Sequence, residues 1–112
     1  MTDRVDPKFV FTDSHAVPWT DSKFAKGVQV KNLGKANGRA LQLVRFEPGA
    51  VFPRHLHYGP EFIFLLEGDA TQNGQQLTSG WASAAEEGTV DDSFCSETGC
   101  VFLFCYSLDK MD

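Results

Sequence analysis

The stretch GAVFPRHLHYGPEFIFLLEG, residues 49–68, carries His55 and His57 two residues apart, with Glu61 four positions after the second. Side chains at i and i+2 share a face only on an extended strand, so a strand here points both imidazoles the same way. The Tyr58-Gly59-Pro60 step bends or breaks that strand, because proline has no N–H to give to a ladder. Glu61 then opens a second strand, with Ile63 and Leu65 on its side. Two imidazoles and a carboxylate converging in this way are the ligand set of a divalent transition metal. Neutral imidazoles are available at pH 7. A carboxylate left alone inside a β-barrel is costly, so a metal or a hydrogen-bond partner has to offset it.

Outward from this stretch the chain reads as all-β. Ten glycines, ten phenylalanines and short apolar runs are broken by turns, and no segment sustains a helical period. GVQVKNLG (27–34) alternates as a strand, and GRALQLVRFEPG (38–49) is a strand closed by a Glu-Pro-Gly turn. EFIFLLEG leads into a hairpin through TQNGQQLTSG, where Asn73-Gly74 suits a tight turn. WASAAEEG follows, then an acidic loop, and CVFLFCYSL is so uniformly apolar that it reads as a buried strand. Short strands at this spacing predict a sandwich or barrel. Residues 1–25, with Pro7, Pro18 and Trp19, form a polar N-terminal arm, and residues 26–112 form one barrel domain.

The 112 residues suffice for one hydrophobic core and no second domain. A formal charge of −5 and a pI near 5.0 argue against nucleic acid or an anionic membrane as partner. The N-terminal MTDRVDPKFVFTD is charged, which predicts neither signal peptide nor membrane span and implies a cytoplasmic protein. Three cysteines, Cys95, Cys100 and Cys105, are odd in number and lack zinc-knuckle spacing. They read as small buried apolar residues in a reducing compartment.

The spacing of Gly49, His55, His57, Glu61 and Gly68 resembles the first cupin motif at every defined position. The second motif departs from its pattern. Gly80 and Gly88 hold their places, but Glu86 stands where proline is usual and Asp91 where a fourth-ligand histidine is usual. Asp91 either ligates through oxygen or is a solvated loop acid beside Asp92, and both readings stay open. VPWTDSKFAKGVQVKNLG, LVRFEPGAVFPRHLHYGPEF and SETGCVFLF together look like the ChrR-like cupin domain, over about residues 17–105.

That resemblance implies a cupin jelly-roll β-barrel (a double-stranded β-helix) with His55, His57, Glu61 and Asp91 around one divalent transition metal. Iron, zinc, manganese or nickel would suit such a donor set. The family includes the C-terminal domain of ChrR-type anti-sigma factors and stand-alone dioxygenases that cleave diketone-like molecules. The anti-sigma proteins bind their sigma factor through a separate N-terminal helical domain, for which this chain has no room. The expected function is therefore a small metal-binding cupin, read as a mononuclear non-haem iron dioxygenase acting on a diketone-like or hydroxyketone-like small molecule. The alternative is a non-catalytic ligand-binding or sensor module. Arg45, on the preceding strand, anchors an anionic substrate group if it faces inward and otherwise caps a surface carboxylate. A homodimer through a paired sheet is expected, with the N-terminal arm as the place for subunit exchange.

Overall fold

Two Asn-Gly pairs set the hairpins. Asn37 and Gly38 (φ 49° and 79°) and Asn73 and Gly74 (φ 48° and 84°) all take left-handed backbone, as two-residue turns matched to strand twist require. The first pair is a turn signal that the sequence reading passed over. The computed structural model describes residues 6–108; residues 1–5 of the expected arm and 109–112 of the expected barrel lie outside that range. Eleven strands follow one 3-10 turn at Ser14–Ala16: β1 (Thr20–Asp21), β2 (Val28–Ala36), β3 (Arg39–Phe46), β4 (Val51–Phe52), β5 (His55–Leu56), β6 (Glu61–Gln72), β7 (Gln75–Thr78), β8 (Ala82–Ala85), β9 (Val90–Asp91), β10 (Phe94–Cys95) and β11 (Cys100–Ser107). No α-helix occurs among the described residues, and none is long and apolar enough to cross a membrane. The all-β expectation holds.

The main sheet runs β1-β2-β3-β11-β6-β10-β4, with β7 and β8 also on β6, and β5 pairs separately with β9. Strand β6 curls this sheet into a half-barrel. Its first half lies between β11 and β8, and its second half pairs with β7 and β10. Gly68 sits where the partners change, at φ +79°. A Cβ there would run into the Gly99 carbonyl oxygen and lie 2.9 Å from Cys100 Cα, so only glycine lets the strands cross this closely.

The concave side holds the core. Phe46, Phe94 and Phe102 form a triangle with ring centroids 5.1–5.4 Å apart, joining β3, β10 and β11. Val28, Val44 and Leu65 complete it. Such offset aromatic pairs each add roughly 0.5–1.5 kcal/mol beyond the area they bury. The phenylalanines of β6 and β11 divide by face: Phe102 is buried and Phe104 packs against the core, whereas Phe62 and Phe64 are exposed on the convex side.

Two expectations are corrected. The acidic stretch after residue 88 is not one loop, because it contains β9 and β10. Strand β11 is buried on its concave face through Cys100 and Phe102, while Val101, Leu103 and Cys105 are only partly covered.

Candidate metal centre

The small β5–β9 ladder brings the two sequence motifs together. Its register sets His55 opposite Asp91 and Leu56 opposite Val90. The pairing continues beyond the strands, with His57 N donating to Thr89 O (3.0 Å) and Gly88 N donating to His57 O (2.9 Å). Because strand side chains alternate, His55 and Asp91 turn inward while their neighbours Arg54 and Asp92 turn outward and pair at 2.6 Å in solvent. Asp91 is 4 % exposed, and so it is not the solvated loop acid that its acidic neighbourhood suggested.

Ligand atoms of His55, His57 and Asp91 all lie within 4.8 Å of one another. The two imidazole Nε2 atoms are 3.2 Å apart. Asp91 Oδ2 is 4.0 Å from His55 Nε2 and 3.9 Å from His57 Nε2. Glu61 Oε1 approaches His57 Nε2 at 3.3 Å. Thus the sequence-predicted residues His55, His57, Glu61 and Asp91 meet, but their order of prominence changes: Asp91 completes the tight group, and Glu61 reaches it through His57.

Hydrogen bonds at the far side of each ring fix the tautomers. His55 Nδ1 lies 3.0 Å from the Pro53 carbonyl oxygen, which can only accept, so Nδ1 carries the proton. Thr89 Oγ1 donates its one proton to the Glu86 carbonyl at 2.7 Å. It must therefore accept from His57 Nδ1 at 2.9 Å. Both Nε2 atoms then present lone pairs to the same point. Two lone pairs 3.2 Å apart repel unless a cation lies against them. This outer support is the arrangement that orients metal-binding imidazoles. Thr89 and Pro53 carry no ligand signature in the sequence, and only the fold reveals them.

The carboxylates agree with that reading. Asp91 Oδ2 accepts from Gln72 Nε2 at 3.3 Å, while Asp91 Oδ1 is buried with no hydrogen-bond partner among the described residues. An orphaned, buried carboxylate oxygen is costly, and a cation is what satisfies it. Burial pushes the Glu61 carboxyl up to about 7; Asp91 adds to the rise and His55 opposes it. Burial also holds His57 below its ordinary value, with His55 acting in the same direction and Asp91 against it. The donor set of two neutral imidazoles and carboxylate oxygen fits a divalent transition metal on all these counts.

Asn73 is a third residue whose role at the site appears only in the structure. Its Oδ1 accepts from the backbone N–H groups of Asp92 (2.8 Å) and Ser93 (3.2 Å), and its Nδ2 donates to Val90 O at 3.0 Å. The β6–β7 turn thereby clamps the strand that carries Asp91. Phe52 stands edge-on to His55 at 5.1 Å and gives the group an aromatic wall.

The structure does not bring Arg45 to this cluster. It alternates with the buried Val44 and Phe46 and so lies on the convex face of β3. There its Nε donates to Gln29 Oε1 at 2.9 Å and its guanidinium stacks 4.3 Å from the Trp19 ring centroid. That placement anchors the start of the barrel to the arm and leaves no route to a ligand at the histidines.

Comparison with solved structures places the fold among cupins. An acetylacetone dioxygenase from Acinetobacter johnsonii superposes with a TM-score of 0.77 at 14 % identity, over 96 % of this chain and 78 % of the other. The polyketide cyclase RemF from Streptomyces resistomycificus gives 0.80 at 19 % identity, over 100 % and 83 %. The anti-sigma protein ChrR of Rhodobacter sphaeroides, solved with SigE, gives 0.72 at 20 % identity, over 83 % of this chain and 50 % of that one. No curated protein sequence matches significantly. Residues 7–107 match the ChrR Cupin-like domain, and the chain belongs to that family.

Proposed function

We propose that this chain is a mononuclear metal cupin that binds a small molecule with two neighbouring oxygens, of the diketone or hydroxyketone class, and cleaves it with O2. The observation that carries this reading is the convergence of two proton-free Nε2 atoms and a buried, unsatisfied Asp91 oxygen. His55, His57 and Asp91 would hold the ion, with Glu61 beside them. A divalent iron held there would supply Lewis acidity and redox chemistry toward O2. Pro53 and Thr89 keep the ring protons at the Nδ1 atoms. Glu61, with its carboxyl lifted to about 7, can hold or release a proton near neutrality, which suits exchange with an enol oxygen. Phe52, edge-on to His55, forms an apolar wall on one side of the ring. The likeness to acetylacetone dioxygenase supports the substrate class.

A non-catalytic ligand-binding module is the second reading, supported by the likeness to ChrR. One experiment separates the two. The protein is loaded with iron(II) under anaerobic conditions and metal content is measured; oxygen consumption is then followed with a panel of small diketones and hydroxyketones. Stoichiometric iron with substrate-dependent oxygen uptake supports the enzyme. Stoichiometric metal and ligand binding without oxygen uptake supports the module. Full metal occupancy in a His55→Ala/His57→Ala variant would remove the site on which both rest.

A further inference from the structure

Strand β11 brings one polar side chain to the concave face beside the metal centre. It pairs with β6 through Phe104–Ile63 and Cys105–Phe62, and the next step of that register sets Tyr106 against Glu61. Directly opposed residues of an antiparallel pair point to the same side of the sheet. Ile63 and Leu65 share the parity of Glu61 and are buried in the core, so that side is the concave one. Tyr106 therefore stands next to the carboxylate that approaches His57 Nε2 at 3.3 Å.

The Tyr106 ring is held in place. It stacks on Phe104 with centroids 4.7 Å apart and planes 18° from parallel. Phe104 in turn meets Phe102 edge-on at 6.3 Å, which ties the pair to the core. Burial raises the Tyr106 phenol above its ordinary value and the Glu61 charge adds to the rise, so the hydroxyl lies within electrostatic reach of that carboxylate. The ring is not sealed in. It borders a depression of about 390 Å³ that Asn32, Leu33 and Ala40 also line, and Ala40, its β3 partner, is too small to cover it. Gln42, across from Phe104, is committed to Asn32 Oδ1 at 2.8 Å. The Tyr106 hydroxyl is left without a protein partner among the described residues, on the same face as a group made of acceptors.

We propose that Tyr106 positions the ligand of this centre, its hydroxyl donating a hydrogen bond to one oxygen of the bound diketone or hydroxyketone on the side where Glu61 stands. The assignment rests on the reading of the chain as a metal cupin for such molecules. It gives Tyr106 the anchoring role that the sequence suggested for Arg45, which the fold places on the convex face. The change of residue type has a chemical consequence. A guanidinium is always charged and selects anions. A phenol is a neutral donor and serves an uncharged carbonyl and an enolate alike. The flat Phe104–Tyr106 stack adds an apolar surface for the carbon skeleton beside that oxygen.

The test is calorimetric titration of the zinc-loaded full chain with two probes, acetylacetone and imidazole. Acetylacetone brings two oxygens, whereas imidazole approaches a metal through one nitrogen and has no second acceptor for a hydroxyl. Tyr106→Phe keeps the ring stack and removes only the donor. The variant should retain the zinc stoichiometry of wild type, bind acetylacetone about tenfold more weakly and bind imidazole with unchanged affinity. A general loosening of the site would weaken both probes together. Equal loss for both, or loss of zinc, in Tyr106→Phe would make Tyr106 a structural residue and overturn the proposal. Acetylacetone affinity equal to that of wild type would overturn it too, and would leave the metal cupin standing. Wild type that takes up zinc but no acetylacetone overturns the diketone reading and this assignment together. Wild type that takes up no zinc removes the centre on which both rest.

Discussion

Thr89 decides which nitrogen of His57 faces the centre. Its hydroxyl has one proton, committed to Glu86 O, and its remaining capacity is to accept from His57 Nδ1. Thr89→Val keeps the shape and removes the acceptor, so the ring loses its preference for the tautomer that exposes Nε2. Loss of such outer support costs roughly 10–100-fold in metal affinity. We expect that loss for Thr89→Val in zinc titrations against a competing chelator, and near wild-type affinity for Thr89→Ser, which retains the hydroxyl. Equal affinity in the valine variant would mean that the ring is oriented by packing alone. This residue was illegible in the sequence because a threonine acting through a histidine leaves no spacing pattern. His55 and His57 were legible because strand parity puts them on one side, and Glu61 because it opens the next strand after the Tyr58-Gly59-Pro60 break. Arg45 illustrates the limit of parity, which gives the alternation but not which face is concave; the apolar Val44 and Phe46 flanking it were the available sign that it points outward.

At the scale of elements, the long strands β2, β3, β6 and β11 could be read from the chain, since each carries enough apolar residues to declare itself. The short strands β9 and β10 could not. Each has two residues in an acidic segment, and what makes them strands is pairing with partners distant in sequence. Asn73 shows how that pairing is held. As a turn residue it was visible, but its three side-chain bonds to Val90, Asp92 and Ser93 were not. Asn73→Gly tests this cleanly, because glycine accepts the positive φ of 48° and removes only the side chain. Each lost bond contributes about 0.5–1.5 kcal/mol. We expect urea denaturation to show a loss of about 1–3 kcal/mol, and hydrogen exchange to rise first around residues 90–93. An unchanged exchange pattern there would mean that β5 alone holds β9 in place.

For the whole molecule, the acids gathered on the concave side make stability depend on pH and on metal together. In the metal-free protein Glu61 titrates near 7, against 4.5 for its ordinary value. Between those values the folded chain keeps a proton that the unfolded chain has released, so stability falls as pH rises through this window. His57 works in the opposite sense. Its imidazole is held below 6.5 in the fold, so its contribution is lost as pH falls, when the unfolded chain takes up the proton first. Glu61→Gln removes the first effect and leaves the second. The unfolding free energy of wild type relative to this variant should therefore drop by up to about 3 kcal/mol between roughly pH 5 and pH 8 when metal is stripped by chelation. With zinc at about a hundred times its dissociation constant, wild type gains about 2.7 kcal/mol, and the difference from the variant should close because a cation now faces the ionised carboxylate. Thermal and urea unfolding of both proteins, with and without zinc, measure this directly. A difference that stays flat with pH in the metal-free state would show that Glu61 is solvated. One that persists unchanged with zinc would place the ion away from Glu61, leaving His55, His57 and Asp91 as the complete ligand set.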